Sequence, residues 1–163
     1  MQAVALQAPV SDREGAMNQP DYKKNIQYAL ELRHSGKDME FMPRNTFWAP
    51  ISAKRLLDLQ ERGGADDFFS SDLSDEELTE RLGHVGKLRN LELLVAFSGS
   101  DEYVPTNVNA EALTHRLVAA MNTRGFVAKA LYMQTANHNL SMGKGDMEQF
   151  VDQVSQLLHN AVH

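Results

Sequence analysis

The fold is decided by residues 91–105, which read LELLVAFSGSDEYVP. The apolar run at 91–97, closed by a polar loop, is typical of a strand that is buried on both faces. Residues 126–133 (FVAKALYM) repeat the strand pattern. Helical patterns lie between the two runs, at 109–122, and after the second run, at 146–162. Strand, helix, strand and helix in this order predict an α/β fold with parallel strands.

Composition excludes several classes of protein. The 163 residues suit one domain, 42% are hydrophobic, and there is no cysteine, so disulfides, a Cys-based zinc site and a cysteine nucleophile are excluded. The formal charge of −6 argues against a general nucleic-acid binder, and no apolar run approaches the length that spans a bilayer. We predict a cytoplasmic protein with no nucleic-acid partner and no membrane partner.

No metal or cofactor site is predicted from the titratable residues. Four histidines are scattered without the spacing of metal ligands, and the acidic stretch around residues 66–77 fits no calcium-loop pattern. A solvated loop and the start of a helix explain the acidic stretch better. The histidines are His34, His84, His115 and His159.

The first residues of the chain form a further apolar run, AVALQAP at 3–9. A short apolar run that ends at a proline predicts a strand of the kind found in the middle of a parallel sheet. Two interpretations remain open. Either the chain begins inside a larger fold whose first half is absent, or this is an edge strand that happens to come first. With it, we expect about three parallel strands with flanking helices.

Two loops that follow strands carry the chemistry. Three residues separate Asp101 from the end of the first apolar run, and His138 stands just past the second. Function in open α/β sheets gathers at the carboxyl ends of the strands, so we expect the two side chains to meet there. The carboxylate would then fix the tautomer of the imidazole, whose other nitrogen acts as general base. A turn-capping aspartate and an ordinary loop histidine are the alternative.

These residues carry a resemblance to a known superfamily. The loop at 98–105, the helix and strand after it, and NHNLS at 137–141 resemble the C-terminal half of an α/β-hydrolase, whose order is nucleophile, acid, histidine. Within that superfamily the chain resembles a fungal group that includes siderophore esterases, which cleave fusarinine-type ester bonds. AVALQAPVSDRE at 3–14 resembles the segment after its nucleophile elbow, and 42–44 with 49–55 resemble its cap insertion.

The resemblance implies roles for residues and a division of the chain. Asp101 takes the place of the triad acid and His138 that of the general base, while the adjacent Glu102 is a rival for the acid. The chain is expected to be one partial α/β-hydrolase domain, 1–163, with a cap-like insertion at about 37–87. The implied substrate is a small-molecule ester, with siderophores as one class, and no cofactor is implied.

Aromatic and methionine side chains in the cap-like segment are open to two interpretations. They either line an apolar substrate pocket or pack the cap against the sheet. The residues are Met39, Phe41, Met42, Phe47 and Trp48.

The nucleophile of the superfamily is missing from the sequence. None of the ten serines has a glycine two residues before it, so none lies in Gly-x-Ser-x-Gly. We therefore expect the elbow to precede Met1 and the 163-residue chain by itself to be inactive. The alternative is an inactive hydrolase-like binding or assembly module that self-associates through an exposed sheet edge.

Overall fold

The structure is a computed structural model that describes residues 2–162. Contacts within the chain divide it into two compact units. One unit combines residues 2–10 with residues 71–162, and the other consists of residues 11–70. The single domain 1–163 with an insertion at about 37–87 stays a prediction.

Three parallel strands form the sheet of the first unit. They are β1 (Gln2–Gln7), β2 (Leu91–Ser98) and β3 (Ala128–Met133), in the spatial order β1-β2-β3. The central strand, β2, is buried at every position from 93 to 98. This continuous burial is what a strand covered on both faces requires. The predicted α/β fold with about three parallel strands and flanking helices is confirmed.

The described residues also form six α-helices and one short 3₁₀ turn, at Val85–Lys87. Residues 74–77 form a capping box, because the Ser74 hydroxyl accepts from the Glu77 N–H while the Glu77 carboxylate accepts from the Ser74 N–H. None of the described helices is both long and apolar enough to cross a bilayer. The helices are α1 (Asp12–Met17), α2 (Tyr22–His34), α3 (Ala53–Gln60), α4 (Asp75–Leu82), α5 (Ala110–Met121) and α6 (Lys144–Val162).

Helices α5 and α6 cover the sheet. Helix α5 connects β2 to β3 and contacts both strands, whereas α6 contacts all three. Leu94 and Ala96 of β2 pack in one apolar cluster with Leu157 of α6. Side chains alternate along a strand, so Leu93 and Val95 point to the opposite face of the sheet.

Strand β1 departs furthest from its sequence pattern. Its apolar run predicts a strand in the middle of a sheet, yet within residues 2–162 it pairs with β2 alone. Val4 is 38% exposed, and Ala5 is exposed as well. An apolar run reports that a strand suits burial, but its burial depends on a neighbour on each side. In the described chain β1 is an edge strand.

Strand β3 begins at Ala128, two residues later than the sequence predicts. The side chain of Asn122 occupies the start of the strand. Its Oδ1 atom accepts from the N–H groups of Val127 and Ala128, and its amide nitrogen donates to the Ala128 carbonyl. Because a side chain satisfies these backbone groups, the preceding residues stay in the turn, and Phe126 is 97% exposed.

The unit at residues 11–70 has a core of its own between α2 and α3. A buried ion pair joins Arg13 of α1 to Asp67, with 3.3 Å between Nε and Oδ2. Of the five aromatic and methionine side chains singled out in the sequence, Met42 is buried in this core and Phe47 packs against it. The other three, Met39, Phe41 and Trp48, are exposed.

Strands β2 and β3 stay paired past their last residues. The Gly99 N–H donates to the Met133 carbonyl (2.7 Å), and the Ser100 N–H donates to the Ala136 carbonyl (2.9 Å). A Cβ atom at Gly99 would lie 2.5 Å from the carbonyl oxygen of Gln134. The close approach of two backbones therefore requires a glycine here, and a left-handed turn does not, because the φ of Gly99 is not positive.

Two neighbouring leucines on α6 test the packing of the sheet. Leu157 is 6% exposed and Leu158 is 54% exposed. We expect Leu157→Ala to lower the free energy of unfolding by about 2–5 kcal/mol, because it leaves a cavity against β2 and β3. Leu158→Ala makes the same chemical change on the same helix, and it should stay within about 1 kcal/mol of wild type. Urea unfolding followed by circular dichroism measures both, and equal losses would contradict this packing.

A second pair of variants tests the junction of the two loops. We expect Gly99→Ala to destabilise the chain by about 1–3 kcal/mol, because its methyl group overlaps backbone atoms that cannot move aside cheaply. The matched control is Gly145→Ala, where a Cβ meets nothing within 4 Å. The control should unfold within about 1 kcal/mol of wild type. Thermal unfolding of both variants measures the change in stability. If Gly99→Ala is as stable as wild type, the backbones at Gly99 and Gln134 are further apart than the structure shows.

Candidate active site

The predicted acid and base meet at the carboxyl ends of β2 and β3. Asp101 lies in the loop after β2 and His138 in the loop after β3, with 2.9 Å between the imidazole Nδ1 and the carboxylate Oδ2. The Asp101 side chain is fully buried, while the His138 side chain is 34% exposed. A buried carboxylate thus faces an imidazole whose other edge reaches solvent.

Both oxygens of the Asp101 carboxylate are engaged. Oδ2 faces the imidazole of His138, and Oδ1 accepts the backbone N–H of Tyr103 at 2.9 Å. An ionised carboxylate only accepts hydrogen bonds, so the Nδ1 atom of His138 carries the hydrogen. The opposite nitrogen, Nε2, then has a free lone pair, and no described residue hydrogen-bonds to it. This is the tautomer that a general base needs.

The ring of His138 is also held from the side. The phenol ring of Tyr103 packs edge-on against it, with 4.7 Å between the ring centroids and 77° between the planes. Edge-to-face packing is a favoured geometry for such rings. Tyr103 therefore restricts the rotation of the imidazole while its own N–H fixes the carboxylate.

Glu102, the rival for the acid, binds a different part of His138. Its Oε2 accepts the backbone N–H of His138 at 3.1 Å. Hydrogen bonds from its own backbone N–H and from that of His138 lower the pKa of the Glu102 carboxyl. The two adjacent carboxylates are thus divided between the ring and the backbone of the histidine, and Asp101 is the one on the ring.

One residue of the site was missed in the sequence. Gln7, the last residue of β1, donates from Nε2 to the carbonyl oxygen of His138 at 2.6 Å. The signal that would have found it is the one that found Asp101. Gln7 is a polar residue at the carboxyl end of a strand that reads as apolar up to that point, and parallel strands end at one edge.

The histidine loop is shaped by its own polar side chains. Asn137 accepts the Met142 N–H and donates to the Ser141 hydroxyl, both at 3.0 Å. Leu140 has a φ of 58°, which is uncommon for a residue other than glycine. The loop therefore depends on its hydrogen bonds to keep a conformation that its residues do not favour alone.

The loop is tied to the start of α6 by Asp146. The carboxylate of Asp146 accepts the hydroxyl of Thr135 at 2.7 Å and the N–H of Thr135 at 2.6 Å. These bonds, first of all the one from the hydroxyl, hold the pKa of Asp146 below its ordinary value of 3.8.

The described serines contribute no hydroxyl to the contact between Asp101 and His138. Among the described serines none hydrogen-bonds to the imidazole of His138, and the hydroxyl of Ser98 is buried without a hydrogen-bond partner. A pocket of about 390 Å³ lies beside the acid loop, lined by residues that include Ser100, Asp101 and Pro105. The site therefore holds an oriented carboxylate and imidazole, with a pocket beside the Asp101 loop.

The pH dependence of stability tests the link made by Asp146. A carboxylate whose pKa is lowered by folding contributes stability above its ordinary pKa and loses it as the pH falls through the lowered value. We expect Asp146→Asn to lower the free energy of unfolding at pH 7, and the difference from wild type to shrink below about pH 4. Urea unfolding at pH 7 and pH 3 measures this. Asp152→Asn, at an exposed position of α6, controls for the lost charge, and a difference that is constant with pH would contradict the link.

Comparison with known proteins finds relatives among fungal esterases. The chain is 34% identical to fusarinine C esterase sidJ of Aspergillus fumigatus, over 76% of this chain and 43% of that protein. It is 30% identical to Esterase AN6793 of Emericella nidulans, over 68% of this chain and 38% of the relative. A UPF0613 protein of Schizosaccharomyces pombe is 32% identical, over 68% of this chain and 39% of the relative. The chain spans about two fifths of the length of these curated relatives.

A solved structure shares the fold of this chain. The siderophore hydrolase EstB from Aspergillus fumigatus superposes with a TM-score of 0.71 at 28% identity, covering 97% of this chain and 57% of that one. The predicted fold, part of an α/β-hydrolase related to the siderophore esterases, is confirmed. Residues 1–159 match the family described as "Protein of unknown function (DUF1749)", and the chain belongs to that family.

Proposed function

We propose that this chain contributes the general base and the acid of a serine-type carboxylic ester hydrolase, with His138 as base and Asp101 as acid. The observation that carries the proposal is the 2.9 Å contact between the imidazole Nδ1 and the buried carboxylate, with Nε2 left available. The contact lies where open α/β sheets gather their catalytic groups.

The proposed chemistry is acyl transfer in two steps. The Nε2 atom of His138 takes the proton of a serine hydroxyl while the serine oxygen attacks the ester carbonyl. The imidazolium then returns that proton to the leaving alcohol, and an acyl-serine ester remains. In the second step Nε2 takes a proton from water, the water oxygen attacks the acyl-serine, and the serine recovers its proton as the acid leaves. Asp101 stabilises the imidazolium in both steps.

The nucleophile is proposed to come from residues outside the 163. No serine of this sequence stands in Gly-x-Ser-x-Gly, and within the described residues none contacts the imidazole of His138. The elbow also supplies an oxyanion-hole N–H, and without these parts an acid–base pair gives little turnover. The 163-residue chain is therefore expected to be inactive by itself.

Siderophore esters are the proposed substrate class. The support is that two relatives are a fusarinine C esterase and a siderophore hydrolase. A third relative, Esterase AN6793, is named only as an esterase, so ester hydrolysis is the more general form of the proposal. The predictions of a cytoplasmic location and of no nucleic-acid or membrane partner stay predictions.

An inactive binding or assembly module is the second candidate function. The observation that favours it is β1, whose outer backbone groups pair with no strand in the described chain and whose residues are all exposed or half-buried. An unpaired strand edge is a template for association with another chain. This candidate requires self-association at micromolar concentration, which sedimentation measures, and no hydrolysis in any longer form.

Hydrolysis of a p-nitrophenyl ester tests the enzymatic proposal in two forms of the protein. One form is the 163-residue chain, which should not exceed the buffer rate. The other is a chimera in which the preceding segment of the Aspergillus fumigatus relative sidJ is joined before Met1, and this form should turn over the ester. In the chimera we expect His138→Ala to lower kcat by about 10⁴-fold, because the triad acts as a unit.

The control for the chimera is His115→Ala, an exposed histidine of α5 outside the site. This variant should keep the activity of the parent chimera. A folded chimera without turnover, or turnover that survives His138→Ala, would contradict the proposal. Turnover by the 163-residue chain that is lost in His138→Ala would contradict the external nucleophile.

A further inference from the structure

The backbone of His138 is held on both of its polar groups by side chains from other parts of the sheet edge. The carboxylate of Glu102 accepts its N–H at 3.1 Å, and the amide of Gln7 donates to its carbonyl at 2.6 Å. Glu102 lies in the loop after β2, and Gln7 ends β1. The ends of two strands thus converge on one residue in the loop after the third.

Local structure does not position this residue. The histidine loop contains a left-handed residue, Leu140 with a φ of 58°, and its internal hydrogen bonds involve residues 137–142 without the N–H or C=O of His138. The direction of a side chain follows from the backbone that carries it. Contacts to the N–H and the C=O of His138 therefore fix where its imidazole points.

We propose that Glu102 and Gln7 are positioning residues for the imidazole of His138, and that they act through its backbone rather than through its ring. The inference rests on the proposed role of His138 as general base. A shift of about 1 Å in a catalytic group is enough to lower a rate substantially. The two contacts keep Nδ1 on Asp101 and leave Nε2 directed away from it.

The charge of Glu102 gives it a second effect on the same residue. Its pKa is lowered by the hydrogen bond from its own N–H and by that from His138, so the carboxylate is ionised across the neutral range. The carboxylate is exposed and screened by water, so its charge favours the imidazolium that forms during proton transfer only weakly. The Glu102→Gln variant keeps an acceptor oxygen and removes the charge, so it separates positioning from electrostatics.

The deciding experiment is NMR of the 163-residue chain, and it needs no activity. It follows the downfield proton on Nδ1 of His138 and its exchange with water. In Glu102→Ala and in Gln7→Met we expect this exchange to become about tenfold faster, because the ring leaves Asp101 more often. In Glu102→Gln the exchange should stay close to wild type. Glu111→Ala, an exposed glutamate in the first turn of α5, is the control for the lost charge.

Thermal unfolding separates positioning from a general loss of structure. Glu102 is exposed, so its variants should unfold within a few degrees of wild type while the Nδ1 exchange changes. Unchanged exchange in both Glu102→Ala and Gln7→Met would overturn the inference. Faster exchange that is equal in Glu111→Ala would overturn it as well.

Kinetics of the chimera distinguish this inference from the proposed function. We expect Glu102→Ala and Gln7→Met to lower kcat by about tenfold with little change in KM, since the proposal gives them contacts to His138 and none to the substrate. If His138→Ala has no effect on turnover, the proposed function fails while the NMR result still decides the positioning. If His138→Ala abolishes turnover and the NMR exchange is unaffected in both variants, the positioning fails and the function stands.

Discussion

The parallel pairing of β2 with β3 is the constraint on which the site depends. The pairing runs from Leu93 opposite Ala128 to Ser98 opposite Met133, and two further backbone bonds extend it into both loops. Because the carboxyl ends of parallel strands lie at the same edge of a sheet, this register places the loops after β2 and β3 side by side. The 2.9 Å contact between Asp101 and His138 follows from that register. A slip by one residue would turn every side chain of one strand to the other face.

Much of this arrangement is predictable from the sequence because it depends on periodicity. The runs at 91–97 and 126–133 are apolar at nearly every position, which is typical of strands, and both are followed directly by polar loops. The placement of both loops at one edge of the sheet follows from the parallel arrangement of the strands. The topology therefore predicts that Asp101 and His138 lie close together, and in the structure 2.9 Å separates Nδ1 from Oδ2. Their catalytic roles remain a proposal.

Other features depend on contacts that no local pattern records. β1 is exposed because no strand lies on its outer side within the described chain. The sequence around Val4 would be the same whether or not such a strand were present. The late start of β3 depends on Asn122, whose side-chain oxygen accepts hydrogen bonds from the N–H groups of Val127 and Ala128. The apolar pattern predicts that these two residues belong to the strand. Gln7 bonds to a residue 131 positions away. Contacts of such sequence separation follow only from the assembled sheet.

The adjacent carboxylates of Asp101 and Glu102 illustrate how burial divides two similar groups. The shorter side chain is buried, and its two oxygens are taken by the imidazole and by the Tyr103 N–H, so it has one available orientation. The longer side chain is exposed and reaches the backbone of the same histidine. An exposed carboxylate is screened by water and interacts weakly with a ring, whereas a hydrogen bond to a backbone N–H depends chiefly on geometry. Their positions suit these tasks, so exchanging the two residues would leave the ring facing a carboxylate of the wrong length and the backbone beyond the reach of the other.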